Sequence, residues 1–383
     1  MPLKDSYTVP AAADMHVHLR DGAMAELVTP TIRPAGIDTV FVMPNLSPRP
    51  VVSVQEALDY KRRLQAIDPS VDYLMSLYLH KSITPEVIRE AKRAGIAGVK
   101  AYPRGVTTNS EWGVVSFDEF ADVLAAMERE GVVLNIHGEA PTSIADGVDL
   151  MNAESRFLPV LKGLSTKYPK LKIVLEHTTS ADAVEAVKAC DNVVATITAH
   201  HLSLLQDQWA SDAHCFCKPS AKTPEDRKAL LNAVVNSNGK FFLGTDSARK
   251  HPDFPILLSP TGFISSCLET NHARNVTAHN ISAKKVEGSP AAGVFTQPYA
   301  LGYVLSALEE GIERGDIKEE QVTEELLSGF FSNWAREFYG LEPAKQKVLL
   351  KKNGQKVAES LKSAEVEVVP YRAGQSTWSV EWQ

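Results

Sequence analysis

Cysteine is scarce in this chain. Cys190, Cys215, Cys217 and Cys267 are the four present in 383 residues, too few and too irregularly spaced for a disulfide framework at this length. The expected state is reduced. No stretch approaches the roughly 18 uninterrupted apolar residues of a membrane-spanning helix, and the opening MPLKDSYTVP carries no apolar run of signal-peptide length. A cytosolic chain with no membrane partner is the expectation. An excess of positive charge is also missing: 40 Lys and Arg face 47 Asp and Glu, for a formal net charge of -7, which argues against nonspecific nucleic-acid binding. Internal repeats and low-complexity segments are not evident, and the ordinary globular composition excludes the disordered and fibrous classes.

What is present points to a large α/β domain. Hydrophobic residues make up 44% and charged residues 23%, enough apolar material for a sizeable core. Eight short runs rich in Val, Ile and Leu recur at 12–19, 38–43, 71–79, 98–102, 132–137, 172–177, 193–198 and 241–246. None alternates strictly with polar residues, as suits parallel strands covered on both faces. Helical patterns lie between them. Residues 116–131 open with Ser116, place Glu119 three residues later as in a capping box and end at Gly131. Residues 223–235 have Thr at the cap and Pro at the first helical position, and 82–95 reads similarly. Eight strand-plus-helix units in about 250 residues match a TIM (β/α)8 barrel. Residues 1–340 are assigned to the barrel, with an insertion at about 253–290 whose periodicity is weak. Residues 341–383 form a small C-terminal appendage, where Asn353-Gly354 between strand-like runs suggests a β-hairpin.

The first run contains His16 and His18. Side chains two apart on a strand project to the same side, so this pair can grip one metal ion. An HxH alone is more often a pair of satisfied or surface histidines. The inventory around it shifts the balance: His137, His177 and Asp246 each end a later run, and barrel enzymes gather their catalytic groups at C-terminal strand ends. Lys100 closes the fourth run, where an isolated lysine would simply snorkel to water. Two divalent ions about 3.5 to 4 Å apart need a bridging anion, however, and four histidines with one aspartate offer none. A buried neutral lysine that adds carbon dioxide becomes a carbamate, which supplies that bridge.

HVHLRDG, MPNLSPRP, VKAYPRGVTTNS, IHGE, EHTT and LGTDSA, in this order, resemble the dihydroorotases of the amidohydrolase superfamily, in their shorter single-function class found in many bacteria and in fungi. The likeness spans roughly residues 10 to 340, and its motifs are specific jointly rather than singly. It implies a zinc-dependent enzyme of pyrimidine biosynthesis that opens the cyclic amide of dihydroorotate, or closes N-carbamoyl-L-aspartate, as a homodimer. It further implies two Zn2+ per chain: His16, His18, Lys100 and Asp246 around one, and Lys100, His137 and His177 around the other, with N6-carboxylated Lys100 shared. Asp246 would move the proton between water and the departing nitrogen.

The resemblance also assigns substrate contacts. Arg20 and Asn45 would meet the carboxylate of the substrate, Thr107 and Thr108 would donate hydroxyl hydrogen bonds from a loop bracketed by Gly105 and Gly113, and Lys218 and Ala292 would give backbone contacts. Relatives carry a substrate histidine four residues after the aspartate; here it stands one residue further, at His251, with Lys250 as the alternative. Cys215 and Cys217 form a CxC without a second pair, which favours a plain structural reading over a metal clip. His200 and His201 are read as structural or supporting residues. Two other functions remain open: a hydantoinase or allantoinase, which shares the metal motif without needing Arg20 and Asn45 together, and a noncatalytic amidohydrolase-like scaffold, which would have dropped ligands.

Overall fold

A computed structural model describes residues 3–248 and 293–383. The 253–290 segment, Lys250, His251 and Ala292 lie outside the described residues.

Strand β1 (Ser6–Pro10) precedes the barrel, whose strands are β2 (Ala12–Val17), β3 (Ile37–Val42), β4 (Asp72–Tyr78), β5 (Gly98–Ala101), β6 (Val133–His137), β7 (Ile173–Glu176), β8 (Val193–Ile197) and β9 (Phe241–Leu243). They pair in sequence order, each parallel to the next. A parallel bridge between Val17 and Ser247 brings the last strand back to the first. Asp246 N–H donates to His16 O at 2.8 Å and His18 N–H to Ser247 O at 3.1 Å across this seam. Asp14 tightens it by accepting from Thr245 N–H at 2.8 Å and Thr245 Oγ1 at 2.7 Å. The eight apolar runs are thus the eight strands of a TIM barrel.

The helices follow their local signals, with one difference. Thr223 and Asp226 form the capping box of the helix Pro224–Val235, and Thr84 caps Pro85–Arg93. At residues 116–131 the expected box does not form. Ser116 accepts from Asp118 N–H and starts a 3-10 turn, Phe117–Phe120, ahead of the helix Ala121–Glu130. The tighter turn moves the accepted N–H from the third residue to the second.

Apolar and polar residues divide the barrel interior. Ala13, Met15, Phe41, Leu74, Val133, Val174, Val194 and Phe242 form a buried cluster from seven strands, against which Phe338, Tyr339 and Leu341 pack. These residues lie mostly toward the N-terminal halves of their strands. The C-terminal ends carry the ionisable side chains instead.

The last residues form β10 (Lys347–Lys356), β11 (Leu361–Lys362), β12 (Glu367–Val368) and β13 (Ser376–Trp382). An antiparallel sheet of order β1-β10-β13 joins the chain's beginning to its end. Asn353-Gly354 is not the turn of a hairpin. The pair lies inside β10, where the register with β13 slips between Lys351 and Gln355 and Gly354 takes φ +70°. Pairing with β13 both before and after the pair keeps the strand running through it, so the left-handed residue makes a bulge.

Candidate active site

Six side chains that the sequence singles out converge at the C-terminal mouth of the barrel. His16 lies on β2 with His18 just beyond it, Lys100 on β5, and His137 ends β6. His177 and Asp246 follow β7 and β9. Ring centroids of His16 and His177 are 4.9 Å apart, those of His137 and His177 4.7 Å and those of His16 and His18 5.3 Å. Glycine at 244 makes room: a Cβ there would stand 2.8 Å from Thr196 Cγ2 and 3.0 Å from His16 Cβ. Asp246 Oδ1 is 3.1 Å from His18 Nε2 and 3.4 Å from His16 Nε2.

Hydrogen bonds on the far sides of the rings fix which nitrogen faces the mouth. His16 Nδ1 lies 2.9 Å from Glu176 Oε2, so its proton belongs on Nδ1 and the Nε2 lone pair points inward. Asn45 donates from Nδ2 to Thr108 O at 3.3 Å, which turns Oδ1 toward His18 Nδ1 at 2.9 Å and frees His18 Nε2 in the same way. Two imidazole lone pairs therefore meet a carboxylate oxygen with no proton to share. Such a triad of acceptors is held together by a cation, and the donor set suits zinc. The second half of the group agrees: His137 Nε2 is 2.7 Å from Glu139 Oε2, leaving Nδ1 for the mouth. Buried Lys100 Nζ, His16 Nε2 and His177 Nδ1 have no hydrogen-bond partner, which fits donors that face a shared cation.

Electrostatics point the same way. Burial lowers the pKa of His16, His18, His137 and His177, with Lys100 adding to the effect at His16 and Arg20 at His18. Neutral imidazole, the form a metal needs, is favoured. Burial also pulls the Lys100 ammonium down to about 8, opposed by Glu176 and Asp246.

A cleft opens above this group. Arg20, Asn45, Thr107, Thr108 and Lys218 line it together with His18, His137, His177 and Asp246. Asn45 has both ends of its amide engaged, with His18 and with the Thr108 carbonyl, so it ties a histidine to the overlying loop.

Backbone strain gathers here too. Arg20, Asn109, His177 and Asp246 have φ of 60°, 55°, 42° and 45°, four of the six positive values among described non-glycine residues. Left-handed backbone without glycine costs on the order of 1 kcal/mol or more and persists where surroundings enforce it. His177 N–H is held by Thr196 Oγ1 at 2.7 Å and Asp246 N–H by His16 O at 2.8 Å.

Sequence reasoning missed the carboxylates behind the rings. Glu176 accepts from Asn135 Nδ2 at 2.6 Å and Thr196 Oγ1 at 2.6 Å besides meeting His16, and Glu139 supports His137. Both stood inside quoted motifs. The available signal was a carboxylate within or just after an apolar barrel strand, which burial obliges to find partners.

Comparison with known proteins agrees with this geometry. An amidohydrolase family model matches residues 77–236. A probable dihydroorotase of Schizosaccharomyces pombe is 43% identical over 99% of this chain and 100% of its own length. The dihydroorotase of Saccharomyces cerevisiae is 38% identical over 97% of this chain and 96% of its own. The crystal structure of dihydroorotase from Saccharomyces cerevisiae in complex with 5-fluoroorotic acid matches with a TM-score of 0.83 at 36% identity, covering 99% of both chains. On shared sequence over nearly the whole length, the chain belongs to the dihydroorotase family of amidohydrolases.

Proposed function

We propose that this protein is a dihydroorotase of pyrimidine biosynthesis, which hydrolyses the cyclic amide of (S)-dihydroorotate to N-carbamoyl-L-aspartate and closes the ring in reverse. The observation that carries this reading is the meeting of His16 and His18 lone pairs with Asp246 beside unpartnered Lys100, under a cleft that also holds Arg20. His16, His18, Lys100 and Asp246 would hold one Zn2+, and Lys100, His137 and His177 the other. Bound there, zinc supplies a Lewis acid for the amide carbonyl and lowers the pKa of water toward about 7.

The chain's own residues do the rest. Lys100 would serve both ions once its neutral amine adds carbon dioxide, forming an N–C bond and releasing one proton, and its lowered pKa of about 8 makes that neutral form accessible. Asp246 takes a proton from the attacking water and delivers it to the ring nitrogen as the C–N bond breaks. Arg20 pairs with the exocyclic carboxylate, for which a planar guanidinium offers two parallel hydrogen bonds. Asn45 supports that contact while orienting His18. Thr107 and Thr108 cover the ring from the loop, and Lys218, Ala292 and His251 complete the substrate contacts. The proposal extends to a homodimer in the cytosol, with twice the chain mass in light scattering. Among the described residues no helix is long and apolar enough to cross a membrane.

The test is a spectrophotometric assay of dihydroorotate ring opening by purified protein, with hydantoin as the competing substrate. Activity on dihydroorotate that a chelator removes and Zn2+ restores is the expected result. Turnover of hydantoin alone would reassign the enzyme, and no turnover of either would leave a scaffold.

A further inference from the structure

Two histidines and a cysteine that catalysis leaves unused meet beside the mouth. His200 and His201 sit on a 3-10 turn, His200–Leu202, that follows β8. Cys217 comes from the loop that reaches the cleft wall at Lys218. All three are buried, at 0%, 1% and 2% exposure, and their ligating atoms lie within 4.8 Å of one another.

The spacing is that of a coordination shell. His200 Nε2 and His201 Nε2 each stand 3.2 Å from Cys217 Sγ. The Pro219 carbonyl oxygen is 3.1 Å from His201 Nε2 and 3.2 Å from Sγ. Donors placed tetrahedrally about 2.0–2.3 Å from a zinc ion stand about 3.3–3.8 Å apart, and these four separations lie just under that range. Nδ1 of both rings has no hydrogen-bond partner. Without an ion, His201 donates its Nε2–H to the Pro219 carbonyl; an ion bound at Nε2 shifts the ring proton to Nδ1, which no other group engages.

We propose that His200 Nε2, His201 Nε2, Cys217 Sγ and the Pro219 carbonyl form a third cation site, distinct from the catalytic group, for a late d-block divalent ion such as Zn2+. Thiolate and imidazole ligands select against Mg2+ and Ca2+, which take oxygen donors. Binding replaces the thiol proton: one S–metal bond forms, one proton leaves, and no electron is transferred. The ion ties the turn after β8 to the loop carrying Lys218 and so fixes one wall of the cleft. With four protein donors the shell is filled, which marks a structural site rather than one kept open for water.

Cobalt reads this site separately from catalysis, because the catalytic group contains no sulfur. Protein stripped by a chelator and titrated with Co2+ alone is expected to show a thiolate-to-cobalt charge-transfer band that saturates at one ion per chain. Cys217→Ser is expected to lose that band, keep the visible absorption of cobalt bound elsewhere, and hold one zinc fewer per chain by elemental analysis. No charge-transfer band in the wild type overturns the proposal, as does a band that survives Cys217→Ser. Should that variant not fold, X-ray absorption of zinc-loaded wild type decides: a sulfur neighbour at about 2.3 Å supports the site, and a first shell without sulfur overturns it.

Discussion

Two groups of buried imidazoles share one end of the barrel, and what stands behind each ring separates them. His16 leans on Glu176, His137 on Glu139 and His18 on Asn45, each through the nitrogen that faces away from the mouth. His200 and His201 have nothing at Nδ1, and their Nε2 atoms face a thiol. A carboxylate behind a ring fixes its tautomer and raises its basicity as a ligand. The first group is thereby held rigid from behind while its front opens on the cleft. The second supplies all its donors from the front and closes around its own centre.

The largest effect expected from breaking this contrast is at Lys100. Lys100→Ala should lower kcat/KM for dihydroorotate at least about 10³-fold, the scale of the several kcal/mol that metal Lewis acidity contributes, and leave the thiolate-to-cobalt band of the second group in place. Short carboxylic acids with high carbon dioxide should restore part of the activity. Full activity without additives would remove the carbamate. Next comes Arg20→Ala, with a loss of about 10²-fold expressed in KM for dihydroorotate, as suits a charge-assisted pair of about 1.5–3 kcal/mol. Steady-state kinetics with hydantoin should show little change; equal losses on both substrates would detach Arg20 from carboxylate recognition.

Glu139→Gln sharpens the comparison by making His137 resemble the unsupported rings. A drop of about 10–100-fold in metal affinity is expected, read by chelator competition; unchanged affinity would leave Glu139 with no part in holding the ring. The smallest effect is a pH dependence. The Lys100 ammonium, lowered to about 8, is charged below that pH and neutral above it, and only the neutral amine adds carbon dioxide. Reactivation of stripped enzyme by Zn2+ at constant dissolved carbon dioxide should rise about tenfold from pH 7 to pH 9, and a flat profile would count against burial as the source of the reactive amine.

The residues that were legible in the sequence are those whose meaning is carried by position along one strand. Parallel strands buried on both faces read as apolar runs, so the barrel followed from spacing, and a polar residue ending such a run stands out as His137 and His177 do. Glu176 was harder because its partner His16 sits across the barrel, on a strand 160 residues away in sequence. Asn353-Gly354 carried a sound local turn signal, yet the pairing of β10 with β13 before and after it decided its conformation. His200, His201 and Cys217 looked unremarkable for the same reason: a turn and a separate loop bring them together, and no spacing rule joins them.

The proposed chemistry depends on Lys100 serving two cations at once. The most direct measurement is ¹³C NMR of the zinc-loaded protein equilibrated with ¹³C-bicarbonate. One carbamate resonance per chain, absent in Lys100→Ala and lost when zinc is removed, is the predicted result. An active wild-type enzyme with no such resonance would contradict it.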